Sequence, residues 1–165
     1  MNFEEIVNLI KEEIGQEIII DVDLKATPQA VIVSAENLVK ICSFLYTDEN
    51  VYFDSLSCIT GIDNGPDTNT MEVIYNLYSI PYNHHLMIKV VLRRNKEEEP
   101  MPEIPTVSTI WKTANWHERE IFDLLGIKFT GHPDLRRILL PADWEGHPLR
   151  KDYKNMEIYH GIVVD

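Results

Sequence analysis

The first fourteen residues repeat apolar side chains at the three- and four-residue spacing of an amphipathic helix. Asn2 and Glu5 have the residue types and the spacing of a capping box, in which each side chain bonds the backbone of the other residue. Gly15 ends the repeat, so the pattern predicts a helix of about three turns. The predicted buried face contains Phe3, Ile6, Val7, Ile10 and Ile14.

Five later segments are rich in β-branched residues or alternate apolar with polar side chains, and they predict strands. Ser34 can cap a second helix between the second and the third strand, and residues 64–67 (NGPD) predict a turn. The predicted strands are residues 17–24, 30–33, 51–62, 71–80 and 85–93, and the second helix buries Leu38, Ile41, Cys42 and Leu45.

This order predicts an α+β fold, with a mixed or antiparallel sheet of about five strands and helices packed on one face. Residues 95–105 are acidic and broken by prolines, and they predict a solvated linker without a specific function. Residues 106–112 predict a helical turn, and residues 115–125 predict a compact helix that ends in a left-handed conformation at Gly126. We therefore predict one α+β domain, residues 1–127.

The helix and strand patterns stop after this domain, where prolines and glycines interrupt every possible element. Residues 128–165 nevertheless keep many large apolar side chains, which is unusual for a disordered tail or for a structureless loop. We predict an extended irregular arm that wraps a partner protein, although composition alone supports equally well an arm that wraps its own domain. The polar anchors, bound by partner carboxylates or carbonyls, would be Arg136, Arg137, Arg150 and Lys151.

The net charge of −12 lies mostly in the predicted domain, because residues 1–105 contain 7 Lys and Arg against 18 Asp and Glu. This charge argues against nucleic-acid binding and against direct binding of anionic lipid. No apolar run approaches the roughly eighteen residues of a membrane span, and the N-terminus lacks a secretory signal pattern. Cys42 and Cys58 have no metal or redox spacing and predict buried thiols in a reducing compartment, with a disulfide between them as the alternative.

Residues 117–121 (HEREI) begin like a zinc-protease motif but lack its second histidine. Glu118 can form a capping box with Asn115, and a helical projection also places it on the apolar face of its helix. A carboxylate on that face must be capped, paired or turned toward a partner's cation, and capping is the favoured interpretation. Arg119 and Asp123 lie on the opposite side at a spacing that predicts a salt bridge.

The histidines do not form a recognisable ligand set. His84 and His85 point to opposite faces of a strand, while His132, His147 and His160 lack ligand spacing, so surface or hydrogen-bonding roles are predicted. The sequence contains no glycine-rich phosphate loop, no serine nucleophile elbow and no cysteine set for an iron–sulfur cluster. We therefore predict no active site, no metal and no bound cofactor.

Four stretches carry a resemblance to a known family: WKTANW (residues 111–116), EREIFDLLGI (118–127), GHPDLRRIL (131–139) and PADWEGHPLRKDY (141–153). They resemble the signature of the 30-kDa subunit of proton-pumping NADH:quinone oxidoreductase (respiratory complex I), which is the C subunit of the bacterial enzyme. The remainder of the chain matches that family only in general layout.

The resemblance implies a hydrophilic, cofactor-free scaffold subunit of the peripheral arm of the complex, without catalytic residues of its own. Its partners would be the large quinone-site subunit and the iron–sulfur subunits, and it would support electron transfer from NADH to quinone coupled to proton translocation. FMN and iron–sulfur clusters would be bound by other subunits. The chain would lie at the cytoplasmic face of the inner (plasma) membrane and touch the membrane only through its partners.

Equivalent subunits of membrane-bound nickel–iron hydrogenases and of photosynthetic NDH-type complexes are the alternative, and a free-standing α+β enzyme or an unrelated adaptor are more distant ones. Carried over by position, the resemblance assigns an interface rather than a catalytic set. The assigned interface residues are Glu118, Arg119, Glu120, Asp123, His132, Arg136, Arg137, Trp144, Arg150, Lys151, Asp152 and Tyr153.

Overall fold

The computed structural model describes residues 1–96 and 98–163, so Glu97 of the predicted linker and residues 164–165 of the predicted arm lie outside the described residues. Within the described residues, three α-helices pack on one face of a five-stranded sheet, as predicted. The helices are α1 (Phe3–Glu13), α2 (Leu38–Thr47) and α3 (Ala114–Leu125), and a 3-10 turn at Ala35–Asn37 leads into α2.

The predicted capping box begins α1. Asn2 Oδ1 accepts the N–H of Glu5 at 2.9 Å, and Glu5 Oε2 accepts the N–H of Asn2 at 2.8 Å. These two bonds satisfy donors that the first turn of a helix otherwise leaves free. The predicted cap at Ser34 is wrong, because its side chain makes no capping bond and a 3-10 turn intervenes before α2.

The central sheet combines one parallel strand pair with antiparallel neighbours. Its strands are β1 (Asp21–Asp23), β2 (Ala30–Val33), β3 (Ser55–Asp63), β4 (Thr70–Ser79) and β5 (His84–Arg93). They lie in the order β1-β2-β5-β4-β3, and only β2 and β5 run parallel among these five. The third strand begins at Ser55 rather than at residue 51, because the left-handed backbone of Tyr52 (φ 28°) interrupts the extended run.

The helices cover the face of the sheet on which every second residue of β4 is buried. Against this face, α3 approaches β3 very closely at Gly61. A Cβ atom at Gly61 would lie 2.5 Å from Leu125 Cδ1 and 3.0 Å from Ile121 Cγ2, both of which belong to α3. Glycine at this position therefore allows the close contact that holds α3 on the sheet.

The predicted solvated linker is partly buried, contrary to expectation. Its end forms β6 (Glu103–Pro105), which pairs in parallel with β7 (Lys128–Thr130), the start of the predicted arm. Ile104 in β6 is fully buried. A strand of three residues that ends in proline is too short to show an alternating pattern, so the sequence pattern did not predict it.

The chain beyond β7 is irregular, as predicted, and we call its described residues 131–163 the arm. Its regular elements are β8 (Ile158–Tyr159) and β9 (Ile162–Val163), which pair as a hairpin around a left-handed turn at His160 and Gly161. None of the helices in the described part of the chain has the length and hydrophobicity needed to cross a membrane.

Candidate interface formed by the C-terminal arm

Three buried carboxylates lie where the arm meets the domain. Asp63 is the last residue of β3, while Glu118 and Asp123 belong to α3. Glu118 and Asp123 are fully buried, and Asp63 is only 5% exposed. Since a buried carboxylate needs hydrogen bonds or a cation to remain stable, the partners of Asp63 and Asp123 show how the arm is held.

Asp123 binds four donors of the arm. Its Oδ2 accepts the consecutive N–H groups of Ile138, Leu139 and Leu140 at 3.0, 2.8 and 2.9 Å. Its Oδ1 accepts a bond from Arg137 Nη1 at 2.8 Å. Burial alone would raise the pKa of Asp123, but these donors outweigh burial and hold the pKa below its usual value. The carboxylate therefore stays ionised and fixes the backbone of the arm.

The predicted salt bridge between Arg119 and Asp123 does not form. Arg119 instead donates to the backbone carbonyls of Arg136 at 3.1 Å and Arg137 at 3.2 Å. The arm covers the side of α3 that lies opposite the predicted apolar face, and Asp123 is therefore buried. Spacing along one helix could not reveal this, because the competing partners lie on a different segment.

A second anchor joins the far part of the arm to the ends of β3 and β5. Arg94 Nε and Nη2 donate to Asp63 at 2.8 and 3.2 Å, and the N–H of Lys151 donates to Asp63 Oδ2 at 2.9 Å. Arg94 also binds the carboxylate of Asp152. Burial would raise the pKa of Asp63, but Arg94 and the backbone donors lower it below its usual value.

Arg150 binds the carboxyl end of α3. Its guanidinium donates to the carbonyls of Leu125 at 2.7 Å and Gly126 at 3.2 Å, and to the Asn95 side chain at 2.8 Å. A cation at this end satisfies free carbonyls and complements the helix dipole. Gly126 has the predicted left-handed conformation (φ 70°), and a Cβ there would lie 2.5 Å from His147 Cδ2. The arm therefore packs directly against the end of α3.

Glu118 does not cap its own helix, so the favoured interpretation from sequence is wrong. Its Oε1 accepts the N–H of Val107 at 2.8 Å, and its Oε2 contacts the hydroxyl of Thr106. The helix begins after Thr113, whose side chain makes no capping bond. Burial raises the pKa of Glu118 to about 7, although both hydrogen bonds act to lower it.

The other predicted interface residues lie in more open places. Trp144 Nε1 donates to the hydroxyl of Tyr153 at 3.1 Å, Arg136 binds the exposed Asp134, and Glu120 is exposed on α3. Their assignment to a partner interface stays a prediction, as does that of the whole set. For Arg137, Arg150 and Lys151, the structure shows hydrogen bonds to acceptors of this chain.

Sequence patterns did not single out Asp63, Arg94 or Asn95. Asp63 occupies a buried position in the alternation of β3, so a carboxylate there had to find a partner, and this was the available signal. Arg94 and Asn95, which directly follow β5, lie in the acidic stretch around the predicted linker and carried no periodic signal. Both are buried, with exposed fractions of 3% and 8%.

The apolar side chains of the arm differ in their exposure. Leu135 packs against the core of the domain, and Ile138 and Leu140 are only partly exposed. Five other large apolar side chains of the arm project into solvent and are exposed by 58% or more. They are Leu139, Leu149, Ile158, Ile162 and Val163.

The described residues contain no group of three or more His, Cys, Asp or Glu side chains that could hold a metal ion. His84 and His85 point to opposite faces, as predicted, with His84 buried and His85 exposed. His132 and His147 bond backbone carbonyls of α3, and His160 contacts Asp143. Cys42 is buried, but Cys58 is only half-buried.

Comparison with known proteins gives a consistent family. The model of the family described as "Respiratory-chain NADH dehydrogenase, 30 Kd subunit" matches residues 31–158. The C subunit of NADH-quinone oxidoreductase from Chloroherpeton thalassium is 44% identical over 160 residues, which cover 94% of this chain and 62% of the relative. The C subunit from Chlorobium phaeobacteroides is 37% identical over 158 residues, which cover 95% of this chain and 92% of the relative. The chain therefore spans less than two thirds of the first relative and most of the second.

Two solved structures resemble the chain. A chain of the membrane-bound sulfane sulfur reductase, an archaeal respiratory membrane complex, has a TM-score of 0.74 and 24% identity, with 92% of this chain and 85% of that chain covered. This likeness shows the fold. A trypsin-resistant fragment of Nqo5 has a TM-score of 0.53 and 32% identity, with 65% of this chain and 82% of that chain covered.

Proposed function

This chain belongs to the family of the 30-kDa subunit of respiratory-chain NADH dehydrogenase, and we propose that it serves as a cofactor-free scaffold subunit of an NADH:quinone oxidoreductase. In this proposal it binds the large quinone-site subunit and the iron–sulfur subunits of the peripheral arm, and it meets the membrane only through them. It supports electron transfer from NADH to quinone, coupled to proton translocation, by holding these subunits in position. The names of its relatives support this assignment.

The observation that carries the proposal is that the backbone of the arm is bonded to the domain while some of its leucine side chains are exposed. Asp123 fixes the backbone at Leu139, yet the Leu139 side chain is 61% exposed. Leu149 has the same arrangement, because its N–H donates to the carbonyl of Leu124 at 3.0 Å while its side chain is 58% exposed. An arm held in one conformation loses less entropy on binding than a free tail, so these leucines are preorganised anchors for a partner.

Polar and apolar residues have different roles in this proposal. Polar contacts between the arm and the domain keep the arm in its binding conformation, and Asp123, Arg137 and Arg150 make the main ones. The exposed apolar residues then contact the partner directly. Apolar anchors surrounded by polar groups are typical of the centre of a protein interface.

Recovery of partner subunits with the tagged full-length chain tests the proposal. The chain is isolated from its native membranes in a gentle detergent, and the recovered proteins are identified by mass spectrometry. We expect the quinone-site, iron–sulfur and NADH-binding subunits. Recovery of hydrogenase subunits would support the related membrane complexes instead, and recovery of the chain alone would refute the scaffold role.

Matched variants test the surface. The double variant Leu139→Ser and Leu149→Ser removes two exposed anchors and should reduce recovery of the partner subunits about tenfold or more, since a lost anchor typically weakens binding by over 1 kcal/mol. Ile80→Ser is the control, because Ile80 is 62% exposed at the opposite end of β5 from Arg94. Equal recovery with the double variant and the control would exclude the two leucines from the interface.

A further inference from the structure

Asp63, Glu118 and Asp123 are buried at the junction between the arm and the domain, and Glu118 differs from the other two in what surrounds it. Asp63 binds Arg94 and Asp123 binds Arg137, so each has a permanent cation. Within the described residues, Glu118 has no lysine or arginine within 4.0 Å, and its hydrogen bonds come from one backbone N–H and one hydroxyl. A fully buried carboxylate in these surroundings is stable as a neutral acid rather than as an anion.

The hydroxyl beside Glu118 can bond either form of the carboxyl group. Thr106 Oγ1 contacts Glu118 Oε2, lies 2.8 Å from Ser108 Oγ and accepts the N–H of Ser108 at 3.1 Å. Because a hydroxyl rotates, Thr106 can donate a hydrogen bond to an ionised Glu118, or it can accept a hydrogen bond from the O–H of the acid and donate to Ser108. Gain and loss of a proton therefore require no rearrangement of this loop.

The arm contributes a buried histidine next to Glu118. His132 Nδ1 accepts the N–H of Asp134 at 3.0 Å, so it carries no proton. Nε2 must then carry the hydrogen, which it donates to the carbonyl of Asn115 at 3.1 Å. This nitrogen lies 3.9 Å from Glu118 Oε2, and neither side chain is exposed. The hydrogen bonds thus place a neutral imidazole beside the carboxyl group.

The remaining groups that face Glu118 supply no positive charge. Cys42 in α2 and Tyr75 in β4 are buried, and burial together with the nearby Glu118 raises the pKa of both. The Tyr75 hydroxyl has no hydrogen-bond partner within the described part of the chain. An ionised Glu118 would therefore be compensated mainly by movement of His132, at the expense of the bonds to Asn115 and Asp134.

We propose that Glu118 holds a proton in the folded protein and that loss of this proton as the pH rises switches the hydrogen bonds of His132, which loosens the first turn of the arm from α3. Docking of the arm is then linked to proton binding at a group with no exposure to solvent. The raised pKa of Glu118, about 7, agrees with this geometry and places the transition near neutral pH.

Carbon and nitrogen NMR of the full-length chain between pH 5 and pH 9 tests the proposal directly. We expect the carboxyl carbon of Glu118 to titrate near pH 7 and the ring nitrogens of His132 to change at the same pH. Between pH 6 and pH 8 the ionised fraction should rise about tenfold, and the amide exchange of Asp134 should rise in parallel after correction for intrinsic rates. Titration of Glu118 near 4.5, its ordinary value, would overturn the proposal.

Variants separate the switch from a merely structural role. Glu118→Gln keeps the shape of the side chain but is always neutral. The change in the ring nitrogens of His132 near pH 7 (the His132 step) should therefore disappear. Glu120→Gln changes an exposed carboxylate on the same helix and should leave the step in place. Persistence of the step in Glu118→Gln would refute the link. The wild-type titration decides the matter even if this variant does not fold, and neither measurement depends on a partner subunit.

Discussion

The replacement Asp123→Asn is the most direct test of how the arm is held. The variant keeps the size of the side chain but removes its charge and replaces one acceptor oxygen with a donor NH2 group. Whichever way the amide turns, this NH2 group faces either Arg137 or the N–H groups of Ile138, Leu139 and Leu140. At least one donor therefore meets another donor in a buried place.

The expected magnitude follows from the contacts. Breaking a buried charged pair by removing one partner costs about 3–5 kcal/mol. Arg137 keeps 19% exposure and some access to water, so the lower end, about 3 kcal/mol, applies. This is a large share of the roughly 5–15 kcal/mol that stabilises a domain, and it falls on the arm rather than on the core. We therefore expect the arm to open while the sheet and its helices remain folded.

Amide hydrogen exchange measures this opening residue by residue. A loss of about 3 kcal/mol corresponds to roughly a hundredfold faster exchange at Leu139 and its two neighbours. Asp134→Asn is the control, because Asp134 is an exposed arm carboxylate that pairs with the exposed Arg136, and such pairs contribute about 0–1 kcal/mol. The reasoning fails if Asp123→Asn accelerates exchange no more than Asp134→Asn.

Three further predictions concern the free energy of unfolding, measured in urea. Gly126→Ala and Gly131→Ala both place alanine in a left-handed conformation, but only the Cβ at Gly126 would lie 2.5 Å from an arm side chain, that of His147. Gly126→Ala should therefore lower the free energy of unfolding by about 1–3 kcal/mol more than Gly131→Ala. Equal losses would contradict the close packing. Gly61→Ala should cost about 1–3 kcal/mol, because its Cβ would lie 2.5 Å from a methyl group of α3, and a neutral result would show that this contact adapts. The pKa of Glu118 is raised from 4.5 to about 7, so the free energy of unfolding should fall by roughly 3 kcal/mol as the pH rises across that interval. Histidines with lowered pKa values act in the opposite direction, so the pH profile of the wild-type protein is compared with that of Glu118→Gln, which keeps these histidines. The same pH profile in both proteins would contradict the prediction.

Much of the fold follows from short-range patterns. The capping box of α1, the alternation of β4 and the left-handed end of α3 at Gly126 each involve residues that are close in the sequence, so they could be predicted. The pair β6–β7 could not, because its two three-residue strands are 25 positions apart in register, from Glu103 to Lys128. Strands of three residues are stabilised by pairing with each other, and they are too short to show a recognisable alternation of apolar and polar residues.

The contacts of the junction could not be predicted either, because their partners are also far apart in the sequence. The bond from Lys151 to Asp63 spans 88 residues, and that from Arg150 to Asn95 spans 55. Spacing rules rank only partners on the same helix or strand, and they therefore favoured local pairs within α3. The resemblance drew attention to this segment, but only the three-dimensional structure shows that its charged residues bind the domain of the same chain.

Because polar groups attach the arm to the domain, the backbone of the arm can be fixed while its apolar side chains stay available to a partner. If apolar contacts held it to the domain, its leucines would be buried and unable to meet a partner. Buried ion pairs contribute little net stability compared with apolar packing, but they specify one geometry, because a displaced arm leaves Asp123 without its donors and removes the N–H of Lys151 from Asp63. Polar docking thus fixes the backbone and leaves Leu139 and Leu149 exposed, which is the arrangement that the proposed scaffold role requires.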